Sequence, residues 1–171
     1  NLKKFFFKKT KSTNDEAIKK IKEGNEKGII VSEKQSHGRG QYGKKWISIK
    51  GNLFLSIFFK IKNDIKIKNT SKLNFVILTK IISDLIKEKI EIKYPNDLII
   101  KKKKICGILQ EKITFDKKKY LIIGIGLNVE NSPIIRNYPT TYLNKYMKKK
   151  VNKKILLMKI KKSYEKEIKL L

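Results

Sequence analysis

The stretch LIIKKKKICGILQEKITFDKKKYLIIGIGL, residues Leu98–Leu127, decides the fold. Leu98–Ile100, Ile105–Ile113 and Tyr120–Leu127 are apolar runs rich in β-branched residues, and the polar breaks between them, Lys101–Lys104 and Asp116–Lys119, have the length of hairpin turns. Consecutive strands joined this way build an antiparallel sheet. Outward from there, Asn52–Ile61 places Leu53, Leu55, Ile57, Phe59 and Ile61 on one side and Ser56 and Lys60 on the other, which predicts a strand with one face in the core. Gly28–Ser32 predicts another strand, Asn1–Lys9 a lysine-flanked strand or strap, and Glu91–Tyr94 a brief strand stopped by Pro95. Thr13-Asn14-Asp15-Glu16 has the form of a capping box and opens a helix over about 14–23 that Gly24 ends. Helical spacing of Leu73, Val76, Ile77, Ile81, Leu85 and Ile86 predicts a helix from Ser71 to about Lys89, after a polar link at Asn63–Lys68. Ile155, Leu156, Ile160, Tyr164, Ile168 and Leu171 give the tail an amphipathic helix. The sum is an α+β fold, a mixed, largely antiparallel sheet backed by helices. With no repeat and no linker, residues 1–171 read as one domain.

Composition excludes some classes of function. The formal net charge is +28, which ordinarily points to nucleic acid. Yet Arg39 and Arg136 are the only arginines, and the planar guanidinium fork is the usual reader of base edges. The lysines run along the whole chain among many Ile and Asn, so they read as solvated surface charge arising from compositional bias; attraction to an acidic protein partner is compatible with that. No specific nucleic acid is expected. Cys106 is the single cysteine, so neither an internal disulfide nor a Cys-based zinc site can form. No apolar run approaches the ~20 residues that span a bilayer, and Phe5-Phe6-Phe7 falls far short of a signal-peptide core of roughly 7–15 residues. The expectation is a soluble protein of a reducing compartment, the cytoplasm, without a membrane partner.

Four clusters could carry chemistry. Gly38-Arg39-Gly40-Gln41-Tyr42-Gly43 fits G-x-G-x-x-G, but Lys44-Lys45-Trp46-Ile47-Ser48 follows where a dinucleotide fold needs a helix, and no Gly-Lys-Ser/Thr ends the loop as a P-loop requires. What survives is a glycine loop whose backbone N–H groups can approach an anion beside Arg39, Lys44 and Lys45. Trp46 either offers a face to an adenine or sits in the core. Lys93-Tyr94-Pro95-Asn96-Asp97 reads as a strand end and tight turn. Lys104-Ile105-Cys106-Gly107-Ile108-Leu109-Gln110-Glu111 sends a lysine into a strand whose Gly107 marks either a ligand or a neighbouring backbone at close range, unless the lysine is simply a solvated hairpin residue. Gly124-Ile125-Gly126-Leu127-Asn128-Val129 thins a strand with two glycines before a polar Asn. Each cluster alone leaves function open: the glycine loop is as compatible with a hairpin tip, and the turn at Asn96-Asp97 and the lysine at 104 by themselves favour a structural role.

Together with Ser12-Thr13-Asn14, and in this order, the clusters resemble the five landmark motifs of the biotin–protein ligase family, from Ser12 to about Val129. The resemblance implies a catalytic domain of the class II aminoacyl-tRNA synthetase type. It implies an ATP-dependent reaction in which biotin becomes biotinyl-5′-adenylate and is then transferred to a lysine of the biotin carrier domain of a biotin-dependent carboxylase. ATP and biotin are the implied substrates and Mg²⁺ the implied ion, with its protein ligands left unknown. By resemblance Lys104 and Arg39 are the catalytic cations. Ser12, Thr13, Asn14, Gln35, Gly38, Arg39, Gly40 and Lys104 would hold biotin. Arg39, Gly40, Gln41, Lys44, Trp46 and Asn128 would hold the nucleotide, with Asn96, Asp97 and Gly107 in support.

Two positions depart from the family pattern: Gln41 stands where arginine is common, and Tyr94 where tryptophan is frequent. An N-terminal DNA-binding domain and a small C-terminal β-barrel, found in many family members, are expected to be absent from residues 1–171; a homodimer is left open. The rival on the same fold is a lipoate or octanoate ligase, which would need an apolar tunnel, and which tends to carry a Gly-Gly-Gly run followed by His. The lone His37 precedes the glycines and reads as a solvated loop residue. A rival of another class is a basic nucleic-acid-binding protein.

Overall fold

The computed structural model describes residues 1–62 and 67–170. Strands β1 (Lys3–Phe7), β2 (Lys27–Ser32), β3 (Leu53–Ile61), β4 (Ile90–Lys93), β5 (Asp97–Ile100), β6 (Lys103–Phe115) and β7 (Lys118–Leu127) form one sheet in the order β1-β2-β3-β7-β6-β5-β4. Only β1 and β2 run parallel; every other neighbouring pair is antiparallel. The expected mixed, largely antiparallel sheet is therefore present, with helices α1 (Thr13–Lys22), α2 (Ile67–Ser83) and α3 (Lys153–Ile168) packed on it.

The two hairpins are tighter than the sequence suggests. Lys101 and Lys102 both have positive φ, as do Asp116 and Lys117, so each turn has two left-handed central residues rather than four loop residues. Such turns match the right-handed twist of the flanking strands, and sheet pairing imposes that geometry even where no Asn-Gly favours it. One consequence is that Lys104 belongs to β6 and not to a turn.

Strand β3 is also more deeply placed than its alternation implies. Both faces are covered, with Ser56 and Phe58 fully buried and Lys60 alone exposed. On one face Leu55 and Ile57 pack with Leu78 and Ile82 of α2 and with Leu156, Ile160 and Tyr164 of α3. On the other, α1 brings Ala17 and Ile21 against Ile30, Phe58, Tyr120 and Ile122. A polar residue such as Ser56 survives there because α1 carries its hydrogen-bond partners.

Helix boundaries differ in detail. Ser12, not Thr13, is the N-cap of α1, and its side chain makes no capping bond; Glu16 instead accepts from Thr10 Oγ1 at 2.8 Å. Gly24, with φ of 90°, ends the helix as expected. Helix α2 starts at Ile67 and stops at Ser83, short of Lys89, so Leu85 and Ile86 pack from a following turn. Of the polar link, residues 63–66 lie outside the described residues, as does Leu171 of the tail helix. Asn152 caps α3 by accepting from Lys154 N and Ile155 N, and Ile155 is half exposed while Leu156, Ile160 and Tyr164 are buried.

Two measurements check this packing. Tyr164 donates its hydroxyl to Asn74 Oδ1 at 2.9 Å with both groups buried, so Tyr164→Phe is expected to lower unfolding free energy by about 1–3 kcal/mol, read as a lower urea midpoint at unchanged m. Cys106 is fully buried, and burial pushes its thiol pKa up to about 12; the Lys104 charge opposes this and the Asp97 charge adds to it. The folded chain therefore holds this proton more tightly than the unfolded chain. That contribution to stability is present below the ordinary thiol pKa and fades as pH climbs toward about 12. Alkylation of Cys106 at pH 9 should be slow in the native protein and fast in urea.

Candidate active site

The face of the sheet that carries α1 is bare at one end. Cross-strand register sets Gly126 beside Gly107 and Ser56 beside Gly124, and alternation puts Ile122, Gly124 and Gly126 on the same side as Phe58 and Tyr120. Where β7 has Tyr120 and Ile122, α1 rests on side chains; where it has glycines, a trough opens. A cavity of about 700 Å³ occupies it, bounded by the start of α1, the loop after β2, the β4–β5 turn and β6.

One end of the cavity is polar. Ser12, Thr13 and Asn14 are buried in the first turn of α1. Gln35 Oε1 accepts from Thr13 N at 2.8 Å and from Thr13 Oγ1 at 3.1 Å, while Gln35 Nε2 donates to Ser48 Oγ at 3.1 Å. Ser56 Oγ lies 2.5 Å from Asn14 Oδ1 and 2.8 Å from Thr13 Oγ1. Asn14 Oδ1 can only accept, so the Ser56 proton goes there; Thr13 then has one proton to share between Gln35 and Ser56. The Asn14 amide fits because Gly124 lies beneath it, where a Cβ would overlap Asn14 Oδ1.

The loop after β2 closes as a small hairpin. Gly40 N donates to Lys44 O and Trp46 N to Gly38 O, around a single 3-10 turn at Gln41–Gly43 in which Tyr42 is left-handed. Arg39 makes a two-pronged pair with Glu111, Nη1 to Oε1 and Nη2 to Oε2 at 2.8 Å each, and Nη2 also lies 2.9 Å from Asp15 Oδ1. Burial alone would lower the guanidinium pKa; the Glu111 and Asp15 carboxylates outweigh it and raise it. Glu111 Oε2 further accepts from Asn14 Nδ2 at 2.6 Å, which ties the loop to the polar end. Trp46 lies flat over the glycines: a Cβ on Gly107 would come 2.6 Å from Trp46 Cζ3, and one on Gly126 would overlap the indole as well.

The other end carries a charged pair. Lys104 Nζ is 2.7 Å from Asp97 Oδ1, and both side chains are largely buried. Asp97 Oδ1 has no partner in hydrogen-bond geometry, so the ammonium answers it electrostatically. Tyr138 donates to Asp97 Oδ2 at 2.5 Å. Lys104 Nζ also stands 5.1 Å from the centre of the Trp46 ring system. In a regular strand residues 104 and 107 would face opposite sides. Leu98 pairs with Cys106 but Ile99 pairs with Lys104, so Ile105 is an extra residue, and this bulge turns Lys104 onto the Gly107 side. Asp97 pairs directly with Gly107 and shares that face.

Of the residues singled out by sequence, Ser12, Thr13, Asn14, Gln35, Arg39, Gly40, Gln41, Lys44, Trp46, Asn96, Asp97, Lys104 and Gly107 all line this one cavity. Two do not. Gly38 is buried in the hairpin, where a Cβ would meet Trp46 O at 2.6 Å, so its smallness serves the turn. Asn128, expected to meet the nucleotide, is 1% exposed; it accepts from Asn52 Nδ2 and donates to Thr141 O and does not line the cavity. Four contributors are given no role by the sequence: Asp15, Ser56, Glu111 and Tyr138. Alternation from Gly107 would have pointed to Glu111, and a lone serine in an apolar strand to Ser56. In the sequence Asp15 stands out only as part of the capping box. Nothing local marks Tyr138, which meets Asp97 across 41 residues of chain.

The model of the biotin/lipoate A/B protein ligase family matches residues 6–128. The chain belongs to that family. Among its relatives, the bifunctional ligase/repressor BirA of Escherichia coli is 32% identical over 122 residues, covering 69% of this chain and 38% of that protein. The BirA of Bacillus subtilis is 33% identical over 110 residues, 61% of this chain and 33% of that protein. The chain thus matches about a third of the length of these curated relatives. The solved biotin protein ligase of Aquifex aeolicus, in complex with biotin and ATP, superposes with a TM-score of 0.81 at 26% identity, covering 98% of this chain and 70% of that one.

Trp46 is the only tryptophan, so its fluorescence reports the trough directly. Gly126→Ala should push the indole off the sheet and shift its emission to the red; an unchanged spectrum would contradict the packing.

Proposed function

We propose that the chain is the catalytic part of a biotin–protein ligase, and the observation that carries this is the polarity of a single trough: hydrogen-bonding groups at one end, cations at the other, glycines between. Gly124 and Gly126 are two strand residues apart, so the two ends are separated by about 7 Å along β7. A small head group that both donates and accepts would sit among Ser12, Thr13, Asn14 and Gln35, and its chain would run along the glycine floor toward Lys104. Biotin's ureido ring has that character. The aliphatic tail of an octanoate would bring no acceptor to the second N–H of the Gln35 and Asn14 amides, each of which uses one N–H on Ser48 or Glu111, and a polar group desolvated in this way costs roughly 1–3 kcal/mol.

The cation-rich end suits adenylyl transfer. Lys44, Lys45, Lys93 and Lys104 line the cavity against one carboxylate, Asp97, while Arg39, on the side of the polar end, is already paired with Glu111 and Asp15. In such chemistry protein groups chiefly position reactants and offset charge. The biotin carboxylate oxygen bonds to the α-phosphorus of ATP, the bond to the bridging oxygen breaks, and pyrophosphate leaves. In the second step a carrier lysine nitrogen bonds to the acyl carbon, the acyl–phosphate bond breaks, and AMP leaves. Lys104 is suited to hold the oxygens that gain charge in both steps. Both Asp97 oxygens are already engaged, so Asp97 holds Lys104 rather than awaiting a proton. The incoming amine is neutral when it attacks, a form favoured by the neighbouring cations Lys93 and Lys104.

Magnesium, when bound, would offset phosphate charge. Mg²⁺ keeps several waters and takes few protein ligands. Among the described residues no three His, Cys, Asp or Glu side chains gather to cage a metal, so the donor set suits an ion that arrives on the triphosphate. The second substrate we assign is the lysine-bearing carrier domain of a biotin-dependent carboxylase. A cytoplasmic setting suits the single buried thiol, and no helix among the described residues is long and apolar enough to cross a membrane.

The test is direct. With biotin and ATP the protein should accumulate biotinyl-adenylate, read by mass, and Lys104→Ala, assayed at a temperature where its Trp46 emission shows it folded, should reduce it at least a hundredfold. With lipoate or octanoate in place of biotin no acyl-adenylate is expected. Acyl-adenylate from those acids alone would move the assignment to the lipoate branch of the family.

A further inference from the structure

The segment after β7 returns to the site in a way that its sequence does not announce. Lys104 N donates to Pro139 O at 2.8 Å and Thr141 N donates to Lys104 O at 2.8 Å, so residues 139–141 run alongside the start of β6 as a short parallel bridge. That bridge fixes Tyr138 at the cavity wall. Its hydroxyl donates to Asp97 Oδ2 at 2.5 Å, opposite the oxygen that faces Lys104. Its ring lies under Lys93 Nζ at 4.3 Å and 5.5 Å from Lys104 Nζ. Tyr138 thus stands beside Asp97, Lys93 and Lys104 at this end of the trough.

We propose that Tyr138 is a positioning residue of the adenylation centre: by donating to Asp97 Oδ2 it holds the carboxylate so that Asp97 Oδ1 fixes the Lys104 ammonium over the glycine floor. The proposal rests on the ligase reading for its catalytic consequence, but its geometric core does not. A carboxylate on a short side chain turns easily about its last bond. With Lys104 as its only partner, it would follow the lysine rather than restrain it. A second, charge-assisted hydrogen bond from a rigid ring removes that freedom. Burial and the bond to Asp97 also keep the Tyr138 proton in place, with its pKa raised above the ordinary phenol value, so the donor is present at every working pH. The fixed ammonium has a further use: Lys104 Nζ would lie 3.3 Å from a Cβ placed on Gly107, so the lysine head rests where the floor is thinnest.

Tyr138→Phe tests this, because it removes one oxygen and keeps the ring on which Lys93 and Lys104 rest. The first arm needs no substrate. Each lysine of the empty protein is acylated with an amine-reactive reagent and the rate is read by peptide mass mapping. A paired, held ammonium acylates slowly, so Lys104 should react several-fold faster in Tyr138→Phe, while the exposed Lys103 keeps its rate and reports an intact fold. The second arm follows adenylate formation from biotin and ATP. The variant should lose roughly ten- to a hundredfold in kcat with KM for both substrates within about twofold. Restoring Tyr at 138 in the same background should restore the rate.

Unchanged labelling of Lys104 overturns the proposal whatever the activity. Faster labelling with an unchanged kcat overturns its catalytic part, and a rise in KM with kcat preserved shows a binding role instead and overturns it too. If the wild-type chain makes no adenylate, the ligase reading fails by itself, and the labelling arm still decides whether Tyr138 holds the Asp97–Lys104 pair.

Discussion

Gly107 and Gly126 face each other across β6 and β7, and Gly124 lies two residues further along the same face. A sheet surface there without side chains is the constraint on which the rest depends. It lets the indole of Trp46 lie on the backbone and the amide of Asn14 reach in beside Ser56. It also leaves room between them for a ligand. Glycine in a strand weakens it by roughly 0.5–1 kcal/mol relative to alanine, and the neighbours offset this: β7 is central, with β3 and β6 bonded along nearly its whole length. Function is placed where the sheet is best supported.

Polar groups at the site are answered one by one. Gln35, Thr13, Asn14 and Ser56 satisfy each other in a short chain of bonds, Arg39 is met by two carboxylates, and Lys104 by Asp97. An exception is Trp46 Nε1, buried with no hydrogen-bond partner. The pairs differ in kind. Arg39 is partly exposed, so its pairing serves mainly to hold the hairpin in place and contributes little to stability. Lys104 and Asp97 are largely buried, where leaving one partner unpaired is strongly unfavourable. The first pair can yield to an incoming anion at modest cost; the second is built to stay.

The charge of +28 has little to do with this machinery. Most of the lysines are exposed, and those that pair, such as Lys20 with Glu23 or Lys118 with Glu26, do so near solvent. The charge that matters is local: Lys44, Lys45, Lys93 and Lys104 against the carboxylate of Asp97 around a concave, partly desolvated space, with Arg39 already matched by Glu111 and Asp15. There the field acts on a bound phosphate far more strongly than surface charge does across a Debye length.

Element types were legible in the sequence because strand alternation and helical spacing are local patterns, and so were the residues of the cavity, since glycines and polar runs stand out among Ile and Lys. The turns at Lys101–Lys102 and Asp116–Lys117, the second buried face of β3 and the early end of α2 were not. Each depends on what packs from elsewhere. Lys104 shares a face with Gly107 only because β5 pairs with β6 through a bulge at Ile105. Tyr138 meets Asp97 only because residues 139–141 bridge to Lys104, and Asn128 turns inward because Asn52 and Thr141 satisfy it. The chain alone determined which side chains could serve; strand register and the return of a distant segment decided which way they point. The reason is physical: direction in a sheet follows pairing with a partner strand, and no local pattern carries that partner.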